Sequence, residues 1–91
     1  MTARARVRFE GRVQGVYFRA HCEEHARSLG LRGFVRNLED GSVEAVFEGE
    51  RAAIDACIEW NRTAQPRAHV DTIHVEWEQP TGAFEGFEIR R

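Results

Sequence analysis

A nine-residue stretch, GRVQGVYFR, combines glycines and an arginine at a spacing that suits an anion. Gly11 and Gly15 are four residues apart, and Arg19 follows four residues later. Glycine lets the backbone turn tightly because it has no Cβ, and the planar guanidinium of an arginine forms paired hydrogen bonds with a phosphate group. The stretch therefore predicts an anion-binding loop that Arg19 closes.

A second residue, Asn37, is predicted to reach the same site. It ends a strand-like segment that follows the loop and a helix. A strand–helix–strand crossover makes the two strands parallel, so that their carboxyl ends lie at the same edge of the sheet. The side-chain amide both donates and accepts hydrogen bonds, which suits it to orient a water molecule beside a bound phosphate. No carboxylate or histidine is comparably placed to act as a base.

The elements that flank the loop follow from the spacing of apolar residues. Residues 5–13 alternate between apolar and charged side chains, which is typical of a half-buried strand. Apolar residues then recur at helical spacing from Phe18 to Leu29, and Gly30 follows where a helix would end. We expect this helix to begin directly after Gly15, so that the unpaired N–H groups of its first turn and its dipole favour a bound anion.

The remaining segments complete a βαββαβ order. Their expected positions are two hairpin strands over residues 31–38 and 42–49 around an Asp-Gly turn, a second helix over about 50–62, a fourth strand around Ile73, Val75 and Trp77, and a short last strand over 87–90. This order predicts an α+β, ferredoxin-like sandwich in which two helices cover one face of an antiparallel sheet. Residues 1–91 are expected to form a single domain.

The face of the sheet without helices is expected to be wet. The first strand should lie between the third and the fourth, so that its outward arginines pair with glutamates across the sheet. The residues expected in these pairs are Arg6, Arg8 and Arg12 on one side and Glu44, Glu48, Glu76 and Glu78 on the other.

Composition excludes several classes of function. The chain has 91 residues and a formal net charge of −2, and all 13 basic residues are arginine, which argues against general binding of nucleic acid or a membrane surface. No apolar run approaches the roughly 20 residues that cross a bilayer, and the N-terminal segment lacks a signal-peptide pattern. We therefore expect a cytoplasmic protein. Cys22 and Cys57 have no metal-ligand or redox spacing and are expected to be buried, reduced thiols.

Two segments and the tail of the chain resemble a known family. GRVQGVYFR and GFVRNLEDGSVEAVFEG resemble the signature segments of the acylphosphatases, GFEIR is similar to their C-terminal end, and the match covers nearly the whole chain. Within it, Phe34 stands where many members have tryptophan, and Leu38 where some have a hydroxyl residue.

The resemblance implies an activity and roles for individual residues. It implies hydrolysis of small acyl phosphates to a carboxylate and inorganic phosphate, with no metal or covalent intermediate. We expect a monomer that uses no cofactor. In that reaction the catalytic residues would be Arg19, which would anchor the phosphate, and Asn37, which would position the attacking water. The backbone of the phosphate-binding loop would form the cradle, and the loop consists of Gln14, Gly15, Val16, Tyr17, Phe18 and Arg19. The only implied partner is the small-molecule substrate.

A zinc site is one alternative. HCEEH fits the H-x-x-E-H pattern, with His21 and His25 on one helical face and Glu24 beside them. The segment shares its helix with the predicted anion loop, and so short a chain offers no distinctive downstream acidic ligand. We therefore expect no metal.

An RNA-binding module is the main alternative that is not an enzyme. RGFVRN, residues 32–37, partly matches the RNA-recognition signature on the same βαββαβ scaffold. However, the signature belongs on the third strand, whereas this segment lies on the second, and the outward sheet positions carry Arg and Glu in place of stacking rings.

A third alternative keeps the phosphate cradle without the reaction. The chain would then be a binding domain, or a free copy of the acylphosphatase-like module of larger maturation enzymes. The presence of Asn37 together with Arg19 argues against lost activity, because binding alone does not need the asparagine.

Overall fold

Five strands and two helices form the protein in a computed structural model that describes residues 1–91. In chain order they are β1 (Thr2–Arg12), α1 (Phe18–Ser28), β2 (Arg32–Asn37), β3 (Val43–Glu50), α2 (Arg51–Thr63), β4 (His69–Glu78) and β5 (Phe87–Arg90). The strands form one sheet in the order β4, β1, β3, β2, β5. The predicted βαββαβ order is confirmed, with β1 between β3 and β4. Neither helix is long and apolar enough to cross a membrane.

Alternation along β1 decides which face of the sheet the helices cover. Ala5, Val7 and Phe9 are fully buried, whereas the arginines between them point to the opposite face. From the helices, Phe18 of α1 packs its ring against Phe9, and Ile54 of α2 is also fully buried. Each large side chain of this kind contributes about 1.5–3 kcal/mol by leaving water. The core therefore lies between the sheet and the two helices.

Cys22 and Cys57 lie in this core as buried free thiols, as predicted. Burial raises the pKa of Cys22 well above its ordinary value and the pKa of Cys57 to about 12. Both thiols therefore stay protonated at neutral pH, and neither supplies the thiolate that nucleophilic catalysis requires.

The sheet is mixed, so the prediction of a purely antiparallel sheet was wrong. The pairs of β1 with β3, β1 with β4 and β2 with β3 are antiparallel, but β5 pairs parallel with β2. The direction of β5 follows from its neighbours along the chain. Strand β4 runs opposite to β2, and the chain reverses after β4, so β5 reaches the free edge of β2 in the same direction as β2.

The connection between β4 and β5, residues 79–86, corrects the expectation that the face without helices is wet. Because β4 and β5 lie at opposite edges of the sheet, this connection runs across that face. The backbone N–H groups of Thr81 and Gly82 donate to the carboxylate of Glu48 at 3.1 and 2.6 Å. Glu48 is consequently only 2% exposed, although it is charged. Part of the face is therefore covered by the chain itself.

Arginine–glutamate pairs form on this face, but only some are the predicted ones. The ion pairs join Arg4 to Glu48 and Glu78, Arg6 to Glu44 and Glu78, and Arg36 to Glu44. Arg8 instead pairs with Glu10 of its own strand and, at 3.9 Å, with Asp40. Arg12 and Glu76 form no ion pair. Arg12 lies opposite His69 of β4, beyond the glutamates of that strand and beyond a register shift that follows Glu10.

Removing the carboxylate of Glu48 should destabilise the protein in a pH-dependent way. Burial by itself raises the pKa of Glu48, but hydrogen bonds from Thr81, Gly82 and Arg4 outweigh it, and the pKa lies below its ordinary value of 4.5. We expect Glu48→Ala to lower the free energy of unfolding by about 3 kcal/mol at neutral pH, because two backbone N–H groups and the largely buried guanidinium of Arg4 lose this carboxylate. Urea unfolding measures the effect.

The pH dependence and a matched variant test the cause of this loss. A carboxylate with a lowered pKa stabilises the folded state fully above the unfolded-state value and loses that effect as the pH falls through the folded-state value. The difference between Glu48→Ala and the natural protein should therefore shrink as the pH falls below the ordinary carboxyl pKa of 4.5. The exposed control Glu76→Ala should change stability by less than about 0.5 kcal/mol. A pH-independent loss for Glu48→Ala would contradict the argument.

Candidate active site

The stretch GRVQGVYFR spans the end of β1 and the start of α1, with the β1–α1 loop, residues 13–17, between them. Helix α1 begins at Phe18, so the prediction that it starts directly after Gly15 was wrong. The cause is Tyr17, whose φ of 62° lies in the left-handed region and cannot continue into a right-handed helix. Gly15 also has a positive φ, of 74°. The chain thus makes two unusual turns before it becomes helical.

Seven successive backbone N–H groups, those of residues 14–20, donate to no acceptor within the protein. The first backbone bond at the start of α1 runs from the N–H of His21 to the carbonyl oxygen of Tyr17, at 3.1 Å. Left-handed and right-handed residues in succession form concave nests of N–H groups that bind anions, and the positive end of the helix dipole adds to their effect. The longer loop therefore keeps the donors of the predicted cradle.

A cleft of about 370 Å³ opens beside these donors. Its lining consists of Val13, Gly15, Tyr17, Phe18, Arg19, Ala20, Asn37 and Ile89. The cleft brings together Arg19 and Asn37. Strands β1 and β2 both run antiparallel to β3, so their carboxyl ends lie at the same end of the sheet. Gln14 and Val16 are not part of the lining, and Ile89 was not singled out from the sequence. No carboxylate or histidine lines the cleft.

Arg19 is the one charged side chain of the lining, and it forms no ion pair. Its Nη1 donates a long hydrogen bond of 3.4 Å to the carbonyl oxygen of Arg90, at the end of β5. Arg36, next to Asn37 in sequence, differs in this respect because its Nε donates to Glu44 at 2.8 Å. The guanidinium of Arg19 is therefore available to an anion in the cleft.

Asn37 has a side chain that forms no hydrogen bond within the protein. Its Oδ1 is buried and has no donor partner, whereas buried polar atoms are normally paired. The residue itself is half-buried at the end of β2, and its side chain reaches the cleft. An unpaired acceptor at this place can accept a hydrogen bond from a water molecule in the cleft.

Known proteins match this chain along nearly its whole length. The sequence model of the family described as Acylphosphatase matches residues 5–89. The chain belongs to the acylphosphatase family. An acylphosphatase from Roseiflexus sp. (strain RS-1) is 53% identical over 87 residues, which is 96% of this chain and 94% of that protein. At this similarity the protein is an acylphosphatase enzyme, as the resemblance of its two signature segments predicted.

Solved structures agree with the acylphosphatase fold. The crystal structure of acylphosphatase from Bacillus subtilis superposes with a TM-score of 0.93 at 32% identity, and the match covers all of both chains. The crystal structure of HypF from T. kodakarensis superposes with a TM-score of 0.80 at 33% identity, covering all of this chain but only 12% of that one. The same fold therefore occurs both as an acylphosphatase of this size and as part of a larger protein.

In this acylphosphatase, Gln14 joins the β1–α1 loop to the hairpin that follows Asn37. Its Nε2 donates to the carbonyl oxygens of Leu38 and Ser42, at 2.8 and 2.9 Å. The sequence placed Gln14 in the predicted cradle, but the structure uses its side chain to hold the cradle and the hairpin together. The distance between the backbone donors and Asn37 is fixed in this way.

A second glutamine, Gln65, supports the start of α1 and was missed by sequence reasoning. It is buried, and its Nε2 donates to the carbonyl oxygen of Phe18 at 3.2 Å and to Oδ1 of Asn61 at 2.7 Å. Gln65 lies in the segment after α2, far from the loop in sequence. The one sequence signal for it is a long polar side chain in the short connection between α2 and β4.

One histidine of the zinc alternative, His25, packs against α2. The ring of His25 stacks on Trp60 at a centroid distance of 4.2 Å, and no group of three His, Cys, Asp or Glu side chains is placed to hold a metal ion. His21 lies one turn before His25, and its buried Nδ1 has no hydrogen-bond partner. HCEEH thus contributes to helix packing at Trp60.

On the sheet face where an RNA-binding module would stack bases, the segment RGFVRN offers no free aromatic ring. Phe34 is 7% exposed, and its ring packs edge-on against Phe84 of the β4–β5 connection, at a centroid distance of 6.0 Å. The guanidinium of Arg90 lies over the ring of Phe34, at 4.2 Å from the centroid. The one aromatic residue of the segment is therefore covered on the face where a base would stack.

Proposed function

We propose that residues 1–91 act as one monomeric, cytoplasmic domain that hydrolyses the carboxyl–phosphate bond of small acyl phosphates without a metal ion. The observation that carries this proposal is the row of unpaired backbone N–H groups at residues 14–20 beside the guanidinium of Arg19. These donors suit the peripheral oxygens and the negative charge of a phosphate group. The buried free thiols are in keeping with a reducing compartment.

Arg19 and the backbone of residues 14–19 bind the phosphate in this proposal. The transition state of phosphoryl transfer is loose, and its charge is spread over the peripheral phosphate oxygens. Donors that are already in position around these oxygens stabilise that charge without reorganisation. Because an acyl phosphate already has a good leaving group, positioning and charge stabilisation supply most of the catalysis. The cleft then needs neither a nucleophile nor a metal.

Asn37 orients the attacking water. When its buried Oδ1 accepts a hydrogen bond from that water, a lone pair of the water oxygen can face the phosphorus atom. As the water oxygen bonds to phosphorus, the bond from phosphorus to the acyl oxygen breaks, and the carboxylate leaves with the electron pair. The proton of the water passes to a phosphate oxygen of the substrate, because no carboxylate or histidine lines the cleft. The products are a carboxylate and inorganic phosphate.

Phosphate release from acetyl phosphate or benzoyl phosphate in the presence of a strong chelator tests this proposal. We expect the rate to be unchanged after prolonged treatment with the chelator, because every proposed contact comes from the chain itself. An activity that disappears with the chelator and returns with a divalent cation would contradict the metal-free mechanism. Phosphate binding without turnover would favour the binding-domain alternative.

A further inference from the structure

Two of the exposed large apolar side chains lie at the cleft. Five such side chains are exposed in the whole chain, at Met1, Tyr17, Val75, Trp77 and Ile89. Tyr17, at 65% exposure, and Ile89, at 38%, also belong to the lining of the cleft. Tyr17 comes from the β1–α1 loop and Ile89 from β5, so two unrelated segments bring apolar surface to the same place.

Tyr17 stands at a position whose backbone does not favour it. Its φ of 62° is the only positive φ outside glycine, and a bulky residue in this region is strained. Glycine or asparagine would adopt the same backbone conformation more easily. The ring is supported from one side, because the guanidinium of Arg67 lies 5.5 Å from its centroid. A strained, supported and exposed aromatic ring beside a cleft points to a ligand contact.

Ile89 lies on the helix-covered face of β5, close to the proposed phosphate site. It pairs with the fully buried Val35 in the parallel register of β5 and β2, yet it remains partly exposed. The next residue, Arg90, accepts the hydrogen bond from Arg19. The acyl group of a substrate whose phosphate is bound at Arg19 would therefore extend along Ile89.

We infer that Tyr17 and Ile89 bind the acyl group of the substrate and select acyl phosphates with an aromatic or branched aliphatic acyl group over acetyl phosphate. This inference rests on the proposed function, because the phosphate in the cradle determines where the covalently attached acyl group must lie. Five of the eight lining residues are apolar and none is acidic. An uncharged apolar acyl group loses water on contact with Tyr17 and Ile89, whereas an acetyl group offers only one methyl group to these contacts.

The ratio of kcat/KM for benzoyl phosphate to kcat/KM for acetyl phosphate tests this inference. We expect Tyr17→Asn, which suits the left-handed backbone, to lower this ratio by roughly fivefold to tenfold, the effect of removing part of an apolar contact. Ile89→Ala should lower it by about threefold. Tyr17→Phe should keep the ratio, because it keeps the ring. Inhibition by inorganic phosphate should stay within about twofold in Ile89→Ala, because Ile89 lies in β5, outside the phosphate-binding backbone of residues 14–19.

Two controls make the result decisive. Trp77→Ala removes an exposed aromatic ring on β4, away from the cleft, and should leave the ratio unchanged. Binding of benzylphosphonate and of methylphosphonate gives the same comparison without turnover, so it separates this inference from the proposed function. If Tyr17→Asn weakens both phosphonates equally, or slows both substrates equally, the ring shapes the cradle and the inference is overturned. If the natural protein binds phosphonates selectively but hydrolyses neither substrate, only the proposed function fails.

Discussion

Replacing Arg19 with glutamine should lower kcat/KM for acyl phosphates by about a thousandfold and weaken inhibition by inorganic phosphate by at least about a hundredfold. Glutamine keeps a hydrogen-bonding group but loses the charge and the planar pair of donors. Arg19 is the only charged residue in the lining of the cleft, so no other side chain there can replace it. Steady-state kinetics and the inhibition constant of inorganic phosphate measure the two losses.

A matched arginine and a conservative replacement sharpen this test. Arg36→Gln removes a guanidinium that is paired with Glu44 next to Asn37, and it should leave phosphate inhibition within about twofold. Arg19→Lys keeps the charge without the fork and should give an intermediate loss. Because Arg19 makes a single long hydrogen bond to Arg90, its removal should change the free energy of unfolding by less than about 0.5 kcal/mol. Full phosphate affinity in Arg19→Gln would contradict the proposed role.

The meeting of Arg19 and Asn37 in one cleft was predictable because it depends on local sequence patterns and on one rule about how strands are connected. The alternation along β1 and the apolar spacing of α1 identify a strand and a helix from neighbouring residues alone. The crossover rule then makes β1 and β2 parallel, and the cleft contains residues from both of their ends, as expected. No precise distance was needed for that argument.

The start of α1 could not be predicted in the same way. Helical spacing of apolar residues begins at Phe18, which is the first residue of the helix, but residues 16 and 17 carry no strong helix breaker. The left-handed conformation of Tyr17 is disfavoured by its own side chain, so sequence propensity argues against it. The surrounding contacts override that propensity, among them the hydrogen bonds of Gln14 to the hairpin and of Gln65 to Phe18.

The path of the connection between β4 and β5 could not be predicted for a related reason. Its attachment depends on Glu48, which is more than 30 residues away in sequence and looks like an ordinary outward residue of β3. Nothing in the alternation of β3 distinguishes Glu48 from Glu44, which remains partly exposed. The chain crosses this face because β5 pairs with β2, at the opposite edge of the sheet from β4. The βαββαβ order does not specify which edge of the sheet β5 joins.

Replacing Asn37 with alanine should lower kcat by about a hundredfold to a thousandfold while phosphate inhibition changes by less than about threefold. The side chain is proposed to hold the attacking water and does not donate to the phosphate, so the chemical step should lose rate and the bound anion should not. Steady-state kinetics with benzoyl phosphate and the inhibition constant of phosphate measure this separation. Equal losses in turnover and in phosphate affinity would contradict it and would place Asn37 on the anion.

The stability of Asn37→Ala distinguishes a functional residue from a structural one. The amide of Asn37 makes no hydrogen bond within the protein, and its Oδ1 is buried without a partner. A structural asparagine leaves a partner unpaired when it is removed, which lowers stability by about 1–3 kcal/mol, whereas removal of an already unpaired acceptor relieves the folded state. We therefore expect Asn37→Ala to be at least as stable to urea as the natural protein while it is far less active. The same measurement on Asn61→Ala, whose amide bonds to Cys57 and Gln65, should show a clear loss of stability. A destabilised Asn37→Ala would mean that its amide holds the fold and that its effect on turnover is indirect.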